Sequence, residues 1–230
     1  MRQARIRVNA AEGEAVYHGM SRTGNEERLL DDAAKEVWRK QLWRIADHGG
    51  VQIITYAMRS NPFHVLLRVP RKLNNPDSEL LRRYAVLYPQ PTKYQTAVLP
   101  VIESQLAPDG PDAVAWRDKQ QAMRGDVSQF MKLGKPRFSV WCNRSHQRYG
   151  TLWSERFKSV LVAAKAGTMR TMAAYIDRNA VRAGLVCDPP DYRFCGYGEA
   201  VAGRTEARDG LARVVRGDSL RWSQVQSSYR

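Results

Sequence analysis

Two β-prone apolar segments separated by four residues constrain the fold of this chain more than any other feature. Residues 51–58 and 63–70 are rich in Val, Ile, Leu and Thr, and each is long enough for one strand. The Asn61-Pro62 pair between them is typical of a turn. The two segments therefore predict a β-hairpin.

The segments before the hairpin predict the rest of an α+β domain. Residues 14–23 alternate and are β-prone, which predicts a first strand. Residues 31–48 carry apolar side chains at helical spacing, begin with two aspartates and are followed by two glycines, as the helix dipole and helix ends favour. A strand, a helix and a hairpin in this order predict an antiparallel sheet with helices packed on it.

The boundaries of the domain are set by changes in composition. Residues 77–87 predict a helix, whereas residues 89–112, rich in Pro, Gln, Thr and Asp, predict an irregular insertion. A longer helical pattern that follows is broken near Gly125. We expect the domain to span residues 14–197, and residues 198–230 to form a polar, basic C-terminal tail.

The charge of the chain favours a nucleic acid as its partner. Its 37 Lys and Arg residues against 23 Asp and Glu residues give a net charge of +14, and each phosphate that a basic side chain neutralises releases a condensed counterion. A basic protein without such a partner is the alternative. The sequence has no apolar run long enough for a membrane span, no signal peptide and three scattered cysteines, which we expect to be free thiols in a cytoplasmic protein.

Tyr175 and Asn179 lie four positions apart in a segment with helical periodicity. A helix places two such residues on one face, about one turn apart. A tyrosine hydroxyl can attack phosphorus when a cation neutralises the charge on the phosphate oxygens, and an amide on the same face can orient that cation. The alternative is that Tyr175 packs in the core and Asn179 marks the end of the helix.

His64 is the polar residue of the second hairpin strand. A His-hydrophobic-His triplet on a strand would aim two imidazoles at one metal ion. The corresponding triplet here is Pro62-Phe63-His64, so one imidazole is present and a proline takes the other place. A structural role for a single half-buried histidine is the alternative.

Basic and aromatic side chains alternate between residues 143 and 159. Arginine among aromatics suits a phosphate backbone with unstacked bases, although a solvated basic face over core aromatics would look the same. The candidates are Arg144, Arg148, Arg156 and Lys158, and the first strand adds His18 and Arg22 with the same ambiguity.

Four blocks in a fixed order resemble the REP-associated tyrosine transposases, which belong to the single-tyrosine His-hydrophobic-His class. The blocks are YHGMSRTGNEERLL, ITYAMRSNPFHVLLRVP, RYGTLWSERFKSVLV and YIDRNAVRAGLV, between about residues 16 and 197. The resemblance implies a ferredoxin-like or RRM-like domain that works as a homodimer. It also implies nicking and rejoining of single-stranded DNA near hairpins through a 5′-phosphotyrosine, with Mg²⁺ or Mn²⁺, in the cytoplasm and associated with the nucleoid.

The resemblance places the family's nucleophile on Tyr175 and its metal ligands on His64 and Asn179. The remaining metal-binding histidine of the family falls on Pro62, which has no side-chain donor or acceptor. The metal site is therefore expected to be weakened, with His18 or Asn61 as candidates to replace the missing ligand. Ala180 stands where relatives commonly have proline, a milder change at the helix end.

Three functions follow from these observations. The first is a transposase that cleaves and joins hairpin-containing DNA, with its catalysis impaired by Pro62. The second is a protein of transposase descent that binds DNA hairpins without cutting them. RNA binding ranks last, because the aromatic pattern that RRM sheets use to stack bases is absent from the sequence.

Overall fold

The computed structural model describes residues 13–24, 29–71, 74–89, 99–215 and 220–230. Within them lie four strands and ten helices: β1 (Ala15–Ser21), α1 (Asp32–Gly49), β2 (Gln52–Met58), β3 (Phe63–Val69), α2 (Asp77–Leu87), α3 (Leu99–Leu106), α4 (Pro111–Ala122), α5 (Val127–Ser145), β4 (Lys158–Val162), α6 (Ala166–Asp177), α7 (Asn179–Arg182), α8 (Gly196–Val201), α9 (Thr205–Val214) and α10 (Trp222–Tyr229). No helix in these ranges is long and apolar enough to cross a membrane.

The strands form one antiparallel sheet in the order β2-β3-β1-β4. The hairpin predicted from the sequence is β2-β3, and the chain reaches β1's other neighbour, β4, only after α2 to α5. The order β1-α1-β2-β3, then helices, then β4 gives the ferredoxin-like connection of two interlocked crossovers. The predicted α+β class with an antiparallel sheet is confirmed.

Helices α1 and α5 close one face of this sheet. α1 begins because the Asp31 side chain accepts a hydrogen bond from the backbone N–H of Ala34 at 2.7 Å, and it ends at Gly50, whose φ of 62° favours glycine. The ring of the fully buried Trp38 lies 5.5 Å from that of Phe63 on β3 and 5.0 Å from that of Phe138 on α5. This face is an apolar core.

The opposite face is covered over β2 and β3 and open over β4. Neighbouring residues of a strand point to opposite faces, so His64 lies on the side away from Phe63. The Thr55 hydroxyl on β2 donates to Asp177 at the end of α6 at 2.6 Å, which fixes α6 on this side. On β4, by contrast, Val160 is 54% exposed, so this part of the face is accessible to a ligand.

The insertion predicted to be irregular, residues 89–112, contains one helix and the first residues of a second. Residues 90–98 lie outside the described residues, but 99–106 form α3 and 111–122 form α4. Ile102 and Leu106 share the buried face of α3 and pack with Ala113 of α4 in a small core of their own. The prediction was wrong here because the polar composition concealed this helical spacing.

The C-terminal segment is part of the folded core, and a boundary at residue 197 would fall inside α8. Residues 205–214 form α9, whose apolar residues Ala207, Leu211 and Val214 are buried. Just before this segment, the backbone N–H of Met58 donates to the Phe194 carbonyl at 2.9 Å, so the chain leading into α8 covers the outer edge of β2. The expectation of a polar tail was wrong because arginines on the outer side of these helices dominate the composition.

Candidate active site

Two histidines meet on the accessible face of the sheet. His18 comes from β1 and His64 from β3, on adjacent strands in which Met20 is paired with His64. The Nε2 atom of His18 lies 3.0 Å from the Nδ1 atom of His64. Their rings are stacked with centroids 5.3 Å apart, and both side chains are buried. One imidazole therefore donates to the other.

Burial keeps both histidines uncharged near neutral pH. It lowers the pKa of His18. It also lowers the pKa of His64 to about 4, and the nearby His18, Arg59 and Arg22 act in the same direction. A neutral imidazole keeps one nitrogen lone pair, which is the form that binds a metal ion.

Tyr175 on α6 contacts both histidines. The centroid of its ring lies 6.3 Å from that of His18 and 6.4 Å from that of His64, with the rings close to perpendicular. Its side chain is 42% exposed, and the guanidinium of Arg182 lies over the ring at 5.0 Å. The structure thus gathers a solvent-accessible phenol, two neutral imidazoles and one cation.

Asn179 is buried and caps α6. Its side-chain Nδ2 donates to the main-chain carbonyls of Tyr175 at 3.0 Å and Ile176 at 3.1 Å. These contacts match the helix-end role that the sequence left open, since α6 ends at Asp177. Only the NH₂ group can face two carbonyls, so Oδ1 is the atom left to bind a cation. A role for Asn179 as a metal ligand stays a prediction.

The turn between β2 and β3 does not offer Asn61 to the histidine pair. The Asn61 Oδ1 atom accepts a hydrogen bond from the backbone N–H of Thr23 at 3.2 Å. Pro62 lines a neighbouring groove of about 460 Å³ together with Arg22 and Arg59. Of the two candidates to replace the missing ligand, the structure therefore brings His18 to His64 and holds Asn61 elsewhere.

The predicted DNA-binding residues divide into two groups. Arg22 lines the groove beside Pro62, and Lys158 is paired with Met20, the residue that also pairs with His64. Lys158 forms an ion pair with Glu155 at 2.8 Å. These two basic residues border the histidine pair.

The other three lie away from the described contacts of the pair. Arg156 is exposed in the segment that enters β4. Arg144 is in the last turn of α5, the helix that packs on the opposite face, and Arg148 follows it. Their DNA-binding roles stay predictions.

A second basic groove, which the sequence analysis missed, adjoins Tyr175. It has a volume of about 620 Å³ and lies between α6, α7 and the C-terminal helix α10. Its basic lining residues are Arg170, Arg178, Arg182 and Arg230. Arg178 and Arg182 lie three and seven residues after Tyr175, a helical spacing that could have identified these two together with Tyr175.

The histidine pair satisfies part of the donor set of a metal site. Two ligands in adjacent positions of an octahedral ion, each about 2.1 Å from it, lie about 3.0 Å apart, which matches the separation of the two nitrogens. Within the described ranges, no group of three His, Cys, Asp or Glu side chains converges on one point. Imidazole is a softer donor than the oxygens that Mg²⁺ takes, so the pair suits Mn²⁺ better.

Comparisons with known proteins do not assign the chain to a family. No family model matches it, and no curated protein matches it. Among solved structures, it is similar to a REP-associated tyrosine transposase bound to a REP hairpin, with a TM-score of 0.49, 12% identity and coverage of 88% of this chain and 86% of that one. At this similarity we infer no function from the match.

Proposed function

We propose that this protein cleaves and rejoins single-stranded DNA, with Tyr175 as the nucleophile and His18 and His64 as the protein ligands of a Mn²⁺ ion. The observation that carries the proposal is the contact of one accessible tyrosine with two neutral imidazoles whose nitrogens lie 3.0 Å apart. The net charge of +14 and the four sequence blocks that resemble the transposases support the same function.

In the proposed reaction the Tyr175 hydroxyl oxygen attacks a DNA phosphorus atom. The bond from Oη to phosphorus forms, the bond from phosphorus to the 3′ oxygen breaks, the phenol proton passes to solvent, and the departing 3′ oxygen takes up a proton. A bound metal ion would supply charge neutralisation on the phosphate oxygens. Arg182, which lies over the Tyr175 ring, would add a further cation near a phosphate bound at Tyr175. Attack by the 3′ hydroxyl of another strand reverses the step and joins DNA.

The proposal differs from the sequence-based ligand set in one respect. The sequence predicted His64 and Asn179 as ligands, with His18 or Asn61 as candidates for the place of Pro62, whereas we propose His18 as the ligand that supplies the second imidazole. Because His18 comes from β1, the site could bind a metal ion through two imidazoles without a His-hydrophobic-His triplet on β3. Asn179 Oδ1 remains a further candidate ligand.

A covalent-adduct assay on denaturing gels tests the proposal. Labelled hairpin-bearing single-stranded DNA is incubated with Mn²⁺ and the native protein, Tyr175→Phe, His18→Ala or Pro62→His. Tyr149→Phe is the matched control, because Tyr149 is 97% exposed and outside the cluster. We expect an adduct with the native and Tyr149→Phe proteins, its loss with Tyr175→Phe and with EDTA, and a decrease of at least about tenfold with His18→Ala.

An adduct that persists in Tyr175→Phe would remove Tyr175 from the mechanism. An adduct that forms only with Pro62→His would show that His18 does not replace the missing ligand. The native protein would then be a hairpin-binding protein.

Binding of DNA hairpins without cleavage is the second candidate. It is favoured by Pro62 and by the hydrogen bonds that engage Asn179 as a helix cap. This function predicts binding that falls with salt but is unchanged by EDTA and by Tyr175→Phe. RNA binding on an RRM-like sheet is disfavoured, because α6 lies over the part of the sheet where β3 would present stacking aromatics. Homodimer formation stays a prediction.

A further inference from the structure

The arginine-lined groove beside Tyr175 has no acidic lining residue. It is formed by one face of α6, by α7 and by the end of α10, and it opens at Tyr175 itself. We propose that this groove binds the sugar-phosphate backbone of the single-stranded DNA next to the bond that is cut. That the bound DNA is the strand being cut rests on the proposed function of Tyr175. That the groove binds phosphodiesters rests on the groove alone.

The groove includes the candidate nucleophile among its lining residues. Arg170 lies on α6, Arg178 directly follows the last residue of α6 and Arg182 ends α7, and all three line the groove. Four residues of helix rise about 6 Å, a separation comparable with that of consecutive phosphates in an extended strand. Tyr175 lines the groove together with Arg170 and Arg178, so a strand along the groove would pass its hydroxyl.

Two of the four groove arginines differ from other arginines of the surface in having no acidic partner among the described residues. Arg82 pairs with Asp47 at 2.7 Å and Arg117 with Asp77 at 2.8 Å. Arg170 and Arg178 are exposed, and neither has an acidic partner among the described residues. Unpaired guanidinium groups in a concave site attract phosphate and bind it through their fork of N–H donors.

The C-terminal helix forms a fixed wall of the groove. The Tyr229 hydroxyl donates to the buried carboxylate of Asp177, which also accepts from the Thr55 hydroxyl at 2.6 Å and from the backbone N–H of Tyr197 at 3.3 Å. Arg230 follows directly and pairs with Asp188 at 2.8 Å. Because Asp177 is two residues after Tyr175, these contacts hold α10 and the candidate nucleophile in a constant relation.

Fluorescence anisotropy with charge-reversal variants tests the groove. Two labelled DNAs share one hairpin, and one of them carries a single-stranded extension. They are titrated with the native protein and with Arg170→Glu/Arg178→Glu. The matched control is Arg44→Glu/Lys119→Glu, which changes the charge equally at exposed positions on α1 and α4. EDTA is present throughout, so that no covalent product forms.

We expect the groove variant to bind the extended DNA about tenfold more weakly than the native protein at physiological salt. The slope of log affinity against log salt should fall in magnitude by about 1.4, since the variant loses two phosphate contacts and each contact on a single strand contributes about 0.7. Affinity for the hairpin without the extension should be unchanged, and the control should match the native protein on both DNAs. Equal losses for both DNAs, a loss in the control of the same size, or no loss in the groove variant would overturn the proposal.

The adduct assay separates failure of the groove from failure of the proposed function. If the native protein forms the Tyr175 adduct but the groove variant binds both DNAs as the native protein does, the groove proposal is wrong and the proposed enzymatic function stands. If the native protein never forms an adduct but the groove variant loses affinity for the extended DNA alone, the proposed enzymatic function is wrong. The groove then stands as the binding site of a protein that binds single-stranded DNA without cutting it.

Discussion

The two faces of the sheet put neighbouring residues of one strand in opposite environments. Phe63 packs into the closed core beneath α1 and α5, 5.5 Å from the ring of Trp38. The next residue, His64, faces a partly open surface and contacts Tyr175. The closed face is built of apolar side chains, whereas the other gathers imidazoles, a phenol and guanidinium groups. The pleat of the strands therefore separates the proposed chemistry from the core beneath α1 and α5, although neighbouring parts of the second face are also buried.

The largest expected effect is on the closed face, where Trp38→Ala should lower the free energy of unfolding by about 3–5 kcal/mol. Trp38 is fully buried against three aromatic rings, so its removal leaves a cavity that the neighbours fill only in part. Urea unfolding of the native protein and the variant measures the change. Tyr175→Ala is the control on the open face and should cost less than about 1 kcal/mol. Equal losses would mean that the two faces do not differ as the structure indicates.

Asp177 provides a pH-dependent test at the base of the open face. Burial raises the pKa of this carboxyl from the usual 3.8 to about 6, against the hydrogen bonds from Thr55, Tyr229 and Tyr197. Between pH 4 and 6 Asp177 therefore holds more of a proton in the folded chain than in the unfolded one, so its contribution to the free energy of unfolding should fall as the pH rises, by up to about 3 kcal/mol.

Asp177→Asn removes this titration. In EDTA, the difference in unfolding free energy between the native protein and Asp177→Asn should shift in favour of the variant as the pH rises from 4 to 6, because all other groups titrate alike in both. Urea unfolding at several pH values measures the difference. A constant difference across this window would show that the pKa of Asp177 is not raised.

Gly210 tests whether the C-terminal helices belong to the cover of this face. A Cβ atom at Gly210 would lie 2.5 Å from the carbonyl oxygen of Ile53 and 2.7 Å from that of Ile54, and a backbone cannot move aside as a flexible side chain can. Gly210→Ala should therefore lower the free energy of unfolding by about 1–3 kcal/mol. The control is Gly167→Ala on α6, where nothing lies within 4 Å and a small gain is expected. If both changes stabilise the protein, α9 does not pack closely on β2.

The sequence predicted those parts of the fold that have local causes. The hairpin, α1 and α2 follow from spacing, turn residues and caps within single segments, and the structure has them at nearly the expected bounds. The antiparallel sheet follows from their order. Helices α3 and α9 were missed because their apolar residues are few and lie among many polar ones, and their partners come from distant segments.

The candidate site was predictable only in its separate residues. Tyr175, His64 and Asn179 were identified by spacing and by resemblance, but the meeting of His18 with His64 depends on the register of two strands 46 residues apart. No local pattern fixes that register. In the same way the hydrogen bonds of Asn179 to its own helix could be stated only as an alternative, since they depend on where α6 ends.

The smallest expected effect is also the most direct test of the histidine pair. Mn²⁺ that binds the folded chain and not the unfolded one should stabilise it by about 1.4 kcal/mol at ten times its Kd, which corresponds to a rise in Tm of about 3–6 °C for a chain of this size. Differential scanning fluorimetry measures the rise, and EDTA should reverse it. His18→Ala should abolish it, and Mg²⁺ should give a smaller rise because the pair presents nitrogen donors.

His48→Ala is the matched control for the metal experiment, because His48 is also buried but lies on α1, where its Nδ1 atom is 3.1 Å from the Arg83 carbonyl. Its loss should lower Tm without metal and leave the Mn²⁺ increment intact. A Mn²⁺ increment that survives His18→Ala would place the metal elsewhere. It would also return His18 to the role of a structural histidine, leaving the open face with a nucleophile but no paired imidazoles to hold its cation.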